Sequence, residues 1–143
     1  VIYKLSPDGS LIWRWQPQNF RFPERQLARH AALHDGLLFN CIVDGSVFAL
    51  DMETGFQVWE TKVASQIGGD TGFVTVHDGR VVLDVDGQDH ALGKKPRIVS
   101  LNASTGEMLW EYKTDTGVWN FLPHYPGDGT FVFMGWHGDA HRL

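Results

Sequence analysis

The sequence predicts an all-β protein built from repeated units of short antiparallel strands, and three observations carry that expectation. The segment A-L-D-M-E-T-G-F-Q-V-W at residues 49–59 recurs as S-L-N-A-S-T-G-E-M-L-W at 100–110, with a shortened copy, K-L-S-P-D-G-S-L-I-W, at 4–13. Asp-Gly pairs stand upstream of successive units at Asp35-Gly36, Asp78-Gly79 and Asp128-Gly129. No stretch sustains the 3.6-residue period of an amphipathic helix, whereas alternation with period two is frequent.

Each copy runs from a leucine (Leu5, Leu50, Leu101) through a glycine (Gly9, Gly55, Gly106) to a tryptophan (Trp13, Trp59, Trp110). The tryptophans lie 46 and then 51 residues apart, a period that belongs to stacked β units rather than to one compact domain. From the Gly of each Asp-Gly pair to the next core leucine the distance is 14, 22 and 14 residues. The middle unit therefore carries an insertion of eight residues, placed within 86–96.

The strands follow from these landmarks. In the first full unit they are expected at 30–33, 37–42, 46–51 and 57–62, separated by D-G, D-G and T-G turns. Glycine in each turn supplies the positive φ that a tight hairpin needs. The second unit reads 73–76, 80–85, 97–102 and 108–113, and the third 122–125, 130–134 and 139–143. Alternation puts Phe48 and Leu50 on one face, and likewise Val99 with Leu101 and Tyr3 with Leu5.

A single four-stranded sheet cannot bury two apolar faces alone, so neighbouring sheets must stack. Radial stacking gives a β-propeller, and at about 45 residues per blade this chain holds roughly three blades, an open arc. The expected units are 1–16, the end of a blade; 30–63, a blade; 73–114, a blade with the insertion 86–96; and 122–143, a truncated blade. Terminal blades of such an arc leave an apolar face uncovered. Trp13, Trp59 and Trp110 are expected on outer strands, each ring packing on the next blade and each indole N–H reaching a backbone carbonyl.

Composition agrees. Sixteen Gly, six Trp and nine Phe suit many turns and half-buried strands. The net charge of −5 argues against nucleic acid or an anionic membrane as partner. No run is long enough for a bilayer-spanning helix. Cys41 is a lone cysteine, read as a small buried strand residue. Because the chain begins inside a unit, lacks an initiator Met and stops at Leu143, where another core leucine falls, a fragment is expected.

Ala49, Asp51, Thr54, Gly55 and Trp59 match A-x-D-x-x-T-G-x-x-x-W. This resembles the tryptophan-docking motif of PQQ-type (quinoprotein alcohol dehydrogenase-like) propellers, and residues 37–60 look like one whole PQQ repeat. The second copy departs at Ser100 and Asn102 and keeps Thr105, Gly106 and Trp110. The first is more degenerate, with Pro7-Asp8-Gly9 as its turn. The resemblance implies the fold firmly and activity much less, because such blades occur with and without a cofactor.

Topology puts the long connections 17–29, 64–72 and 113–121 on one face together with the insertion. That face is expected to hold Arg21, Arg25, Arg29, Asp70, Asp89, His90, Lys94, Lys95, Trp119 and Asn120, and any ligand or protein partner. Residues 110–120 are similar to the stretch where quinoprotein alcohol dehydrogenases place a Trp followed by a catalytic Asp beside pyrroloquinoline quinone and calcium. Trp119 matches, but Asn120 stands at the base position, and an amide cannot accept the proton. No catalytic residue is therefore assigned; Trp119 and Asn120 stay as cofactor-site candidates and Asp89 as a metal-ligand candidate.

Other patterns are read as structural. His137 and His141 flank a turn rather than a helix turn; His34 and His77 precede D-G turns; Gly68-Gly69-Asp70-Thr71-Gly72 lacks the Lys of a phosphate loop. Lys94, Lys95 and Arg97 read as a solvated loop around Pro96. The expected function is a non-catalytic interaction scaffold, resembling the propeller lipoproteins of outer-membrane protein assembly. The alternatives are part of a quinone-dependent alcohol or sugar dehydrogenase whose catalytic residues lie elsewhere, and an accessory sensor domain. The resemblance implies a periplasmic or extracytoplasmic location.

Overall fold

The structure, a computed structural model, describes residues 1–21, 25–28, 30–67, 73–85, 96–114 and 122–134. All regular elements among them are strands: β1 (Ile2–Leu5), β2 (Leu11–Trp15), β3 (Ala32–His34), β4 (Leu37–Cys41), β5 (Ser46–Asp51), β6 (Gln57–Lys62), β7 (Val74–His77), β8 (Arg80–Val85), β9 (Arg97–Asn102) and β10 (Met108–Lys113). They form a two-stranded sheet, β1-β2, and two four-stranded antiparallel sheets in sequential order, β3-β4-β5-β6 and β7-β8-β9-β10. The sheets approach one another through β3 and β7, and a parallel bridge joins His30 to Phe73 just before them.

The inner two strands of each full sheet are buried on both faces, and period-two alternation divides their side chains between neighbours. Phe48 and Leu50 of β5 pack with Ile42 against Ile2, Trp13 and Trp15. Val47 and Ala49 point the other way, into a core shared with Phe39, Trp59, Val81, Leu83, Val99 and Leu101. Val82 and Ile98 face the third unit, packing with Trp110 of β10 and with Phe131 and Phe133 from that unit. Fully burying one such side chain contributes about 2–3 kcal/mol, so inter-sheet packing is the main stabilising term.

The first strand of each full unit begins later than the sequence suggests, at Ala32 and Val74 rather than 30 and 73. The ladder instead runs right up to the turn. His34 pairs Leu37 and His77 pairs Arg80, with the intervening Asp35-Gly36 and Asp78-Gly79 both at positive φ, the two-residue type I′ geometry. Ile42, the last residue of the expected strand 37–42, belongs instead to the turn that follows β4. In the third unit, the expected strands 122–125 and 130–134 reduce to one bridge, His124 to Val132, held by reciprocal N–H to C=O bonds of 2.8 and 2.9 Å. The strand expected at 139–143 lies outside the described residues.

Candidate functional site

Two ends of the sheets differ in character. At one end lie the tight turns 35–36 and 52–55, tied together by the Met52 N–H to Gly36 C=O bond of 2.9 Å. Ala103 N–H makes the same 2.9 Å bond to Gly79 C=O in the next unit. Asp51 Oδ1 accepts from the backbone of Glu53 (3.0 Å) and Thr54 (2.7 Å) and from the Thr54 hydroxyl (2.8 Å). Asn102 Oδ1 accepts the matching bonds from Ser104 (2.9 Å) and Thr105 (3.1 Å). The motif thus needs a side-chain carbonyl-type oxygen, which Asp and Asn both supply. The Thr54 bonds hold the Asp51 carboxyl below its usual pKa.

The tryptophans join these turns across sheets. Trp13 Nε1 donates to Met52 C=O at 3.0 Å, and Trp59 Nε1 donates to Ala103 C=O at 2.9 Å. Their rings lie so close over Gly55 and Gly106 that an added Cβ would come within 2.7 and 2.6 Å of the indole. Both glycines have positive φ, so no other residue suits either place. Trp110 stacks on Phe131 with a centroid distance of 6.0 Å and an interplanar angle of 9°.

The opposite end carries the long connections. The turn between β4 and β5 is gripped from both sides: Ala28 N–H bonds Cys41 C=O (2.9 Å), Val43 N–H bonds Gln26 C=O (2.8 Å), and Ile67 N–H bonds Val43 C=O (2.9 Å). Its charges are matched internally. Arg25 lies 3.1 Å from Asp44 and 2.6 Å from Glu60, and also donates to Gln18 C=O at 2.9 Å. Lys62 donates to the Asp44 carbonyl. All three members of the Arg25 cluster are four-fifths buried, or nearly so.

Arg97 corrects the solvated-loop reading. Its side chain is fully buried at the start of β9, donating to Val63 C=O at 2.9 Å with Glu111 3.5 Å away. The physical reason is register: Arg97 shares a strand face with Val99 and Leu101, so alternation turns it toward the neighbouring sheet. That same alternation was the signal for it in the sequence. Asp84, also buried, lies close enough to Cys41 to add to the effect of burial, which pushes the thiol up to about 12.

Of the residues singled out from the sequence, Arg21 and Arg25 are described on this face, where Arg21 C=O accepts from Arg25 N–H at 2.8 Å. Arg29, Asp70, Asp89, His90, Lys94, Lys95, Trp119, Asn120, His137 and His141, with the stretch 68–72, lie outside the described residues. His34 sits 3.2 Å from Asp35 beside its turn, and His77 stacks on Tyr125 at 4.3 Å. The Arg25–Asp44–Glu60 cluster and the buried Arg97 were missed as constellations, since neither forms a local motif.

Among the described residues no group of three His, Cys, Asp or Glu is placed to hold a metal. The two carboxylates that do converge, Asp44 and Glu60, already have the Arg25 guanidinium between them, and it fills the place a cation would take. Trp119, Asn120 and Asp89, the candidates for a quinone–metal site, lie outside the described residues, and no chemical step is derived through one.

A family model described as outer membrane protein assembly factor BamB matches residues 1–124. The chain belongs to this family of PQQ-repeat propellers. The quinohemoprotein alcohol dehydrogenase ADH-IIG of Pseudomonas putida is 28% identical to it over 99% of this chain and 20% of its own length. The solved structure of quinohemoprotein alcohol dehydrogenase ADHIIG from Pseudomonas putida HK5 superposes with a TM-score of 0.64 at 28% identity, covering 87% of this chain and 19% of that one. BamB from Moraxella catarrhalis superposes with a TM-score of 0.64 at 19% identity over 88% of this chain and 34% of that one, a likeness of fold alone. The stacked sheets are blades of a β-propeller. This PQQ-repeat chain spans about a fifth of the length of the curated relatives it matches.

Proposed function

We infer that the chain forms wedges of a PQQ-type propeller that works as a non-catalytic interaction scaffold, with a protein partner on the face that carries the long connections. One observation carries the reading. Two described arginines at that end are spent within the fold, Arg25 on Asp44 and Glu60 and Arg97 on Val63 and Glu111, so neither guanidinium is aimed at a ligand. Asn120, an amide where the related dehydrogenase stretch has its base, points the same way. So does the family description, an assembly factor of outer-membrane proteins. Family resemblance supports a periplasmic or other extracytoplasmic location. No helix among the described residues is long and apolar enough to cross a membrane.

A second reading has its own support: the relative matched over 99% of this chain is a quinohemoprotein alcohol dehydrogenase. On that reading Trp119 would stack on pyrroloquinoline quinone, calcium would lie nearby with Asp89 as a candidate ligand, and the base would come from residues other than Asn120. Titration of the protein with pyrroloquinoline quinone and calcium, read by absorbance and by thermal shift, separates the two. The scaffold reading expects no saturable response. Stoichiometric binding together with alcohol-dependent reduction of an artificial electron acceptor would overturn it.

A further inference from the structure

Trp13 and Trp59 pin neighbouring sheets together at the turn end. At the opposite end two arginines that share no place in the repeat make the same contact. Arg25 lies 2.6 Å from Glu60 and donates to Gln18 C=O at 2.9 Å. Arg97 lies 3.5 Å from Glu111 and donates to Val63 C=O at 2.9 Å. Glu60 and Glu111 are equivalent, each five residues after a turn glycine and each opposite a residue of the inner strand, Phe48 and Val99. The carbonyls are equivalent to within one residue. Gln18 stands nine residues after Gly9 and Val63 eight after Gly55, both just beyond the outer strand of the preceding unit.

Only the source of the guanidinium differs. Arg25 comes from the connection that enters its unit, whereas Arg97 opens β9. The place of Arg97 is held in the preceding unit by Ser46, which opens β5 and pairs with Lys62 as Arg97 pairs with Lys113. Ser46 is buried, and the Arg25 guanidinium sits on Asp44 two residues away. In sequence, Gly68 stands eleven residues before Gly79, as Arg25 stands eleven before Gly36. Arg25 with Ser46 thus answers to Gly68 with Arg97: the long side chain has changed places with the short one, and each of these two junctions receives one guanidinium.

We propose that this guanidinium clamp is a second repeating tie between blades, and that positions 25 and 46 are interchangeable sources of it. The fork of an arginine can hold a carboxylate and a main-chain carbonyl at once, which a lysine ammonium does with less geometric control. The glutamate belongs to one blade and the carbonyl to the segment leaving the blade before it, so the clamp straps that segment down at the end of the long connections. The tryptophan fastens the other end. The two fastenings share no residue, so the long-connection end can loosen while the turn end stays docked. This inference does not rest on the scaffold reading.

Moving the arginine tests it. Arg25→Ala and Ser46→Arg should each lower the urea midpoint, the first by removing the clamp and the second by crowding two guanidinium groups onto Glu60. The double variant Arg25→Ala/Ser46→Arg should have a higher midpoint than either single one, and adding Glu60→Gln should abolish that recovery. Additive losses, or a recovery that survives Glu60→Gln, overturn the proposal. Amide hydrogen exchange reads the separation of the two ends. In Arg25→Ala the Ala28 and Val43 amides, which bond Cys41 C=O and Gln26 C=O, should exchange several-fold faster, while the Met52 amide on Gly36 C=O keeps its rate. Acceleration of Met52 in step with Val43 would show that the ends open together and would also overturn it.

Discussion

The indole of Trp59 lies directly on Gly106, near enough that a methyl group there would fall 2.6 Å from the ring, while its N–H reaches Ala103 C=O at 2.9 Å. The Thr61 hydroxyl adds a bond to Gly106 C=O at 2.7 Å. One turn thus receives a ring, an N–H and an O–H from the neighbouring blade. Gly79, at φ +68 with nothing within 4 Å, is a control in which backbone strain acts alone. Gly79→Ala should cost about 1–2 kcal/mol, the left-handed penalty. Gly106→Ala should cost about 1–3 kcal/mol more, because the ring must also move. Urea unfolding of the pair measures the difference; equal losses would mean that the ring contact contributes nothing.

Asp51 and Asn102 do the same job with different acidity. The Asp51 carboxyl is held below its usual value, first by the Thr54 N–H and then by the Thr54 hydroxyl. A depressed folded pKa gives stability that is present above the unfolded value of 3.8 and is lost as pH falls through the folded one. Asn102 cannot titrate. Asp51→Asn should therefore behave close to wild type at neutral pH and lose less stability on acidification below 3.8. Urea midpoints at neutral pH and near pH 3 decide it. A variant as acid-sensitive as wild type would remove Asp51 from the account.

The repeat made the fold legible, because each landmark has a local physical cause. Asp35-Gly36 and Asp78-Gly79 adopt the two positive φ values of a type I′ turn, and the interval from Gly55 to Trp59 sets the outer strand. The first strands were misplaced by one or two residues because His34 and His77, polar in sequence, pair directly beside the turn. The site was far less legible. Arg25, Asp44 and Glu60 are brought together from a connection, a turn and an outer strand, with no shared spacing to announce them. Arg97 was hidden by its neighbours: Lys94, Lys95 and Pro96 suggest a loop, and only alternation with Val99 and Leu101 gives its burial away.

The Arg25 cluster binds a connection to a blade. Arg25→Ala removes a cation shared by Asp44 and Glu60 and leaves the two carboxylates facing one another. The groups keep about a fifth of their surface in water, so the loss should be near 1 kcal/mol and should shrink at high salt. Adding Asp44→Asn to the Arg25→Ala variant should recover part of it by relieving the repulsion. Chemical denaturation in low and in molar salt checks both statements; a salt-independent loss would point to packing of the arginine stem instead.

Cys41 offers a test of the packing between blades. Burial first, and then the negative charge of Asp84, push its thiol from 9.0 up to about 12. A thiol so placed stays protonated and shielded, so it should not react with a disulfide reagent at pH 8 until the chain unfolds. The linkage has a definite sign. Because the folded pKa is raised, the folded state holds the proton longer than the unfolded one, so the associated stability is intact below 9.0 and declines as pH climbs from there toward about 12. Other groups titrate in that range, which makes a comparison necessary. Cys41→Ala should cost roughly 1 kcal/mol at neutral pH for the lost sulfur contacts. It should also show a shallower decline of stability above pH 9, measured by urea unfolding at pH 7 and pH 10. Parallel declines in the two proteins would show that the thiol does not ionise differently on unfolding, and rapid labelling of the folded protein would show that the blades part at Cys41.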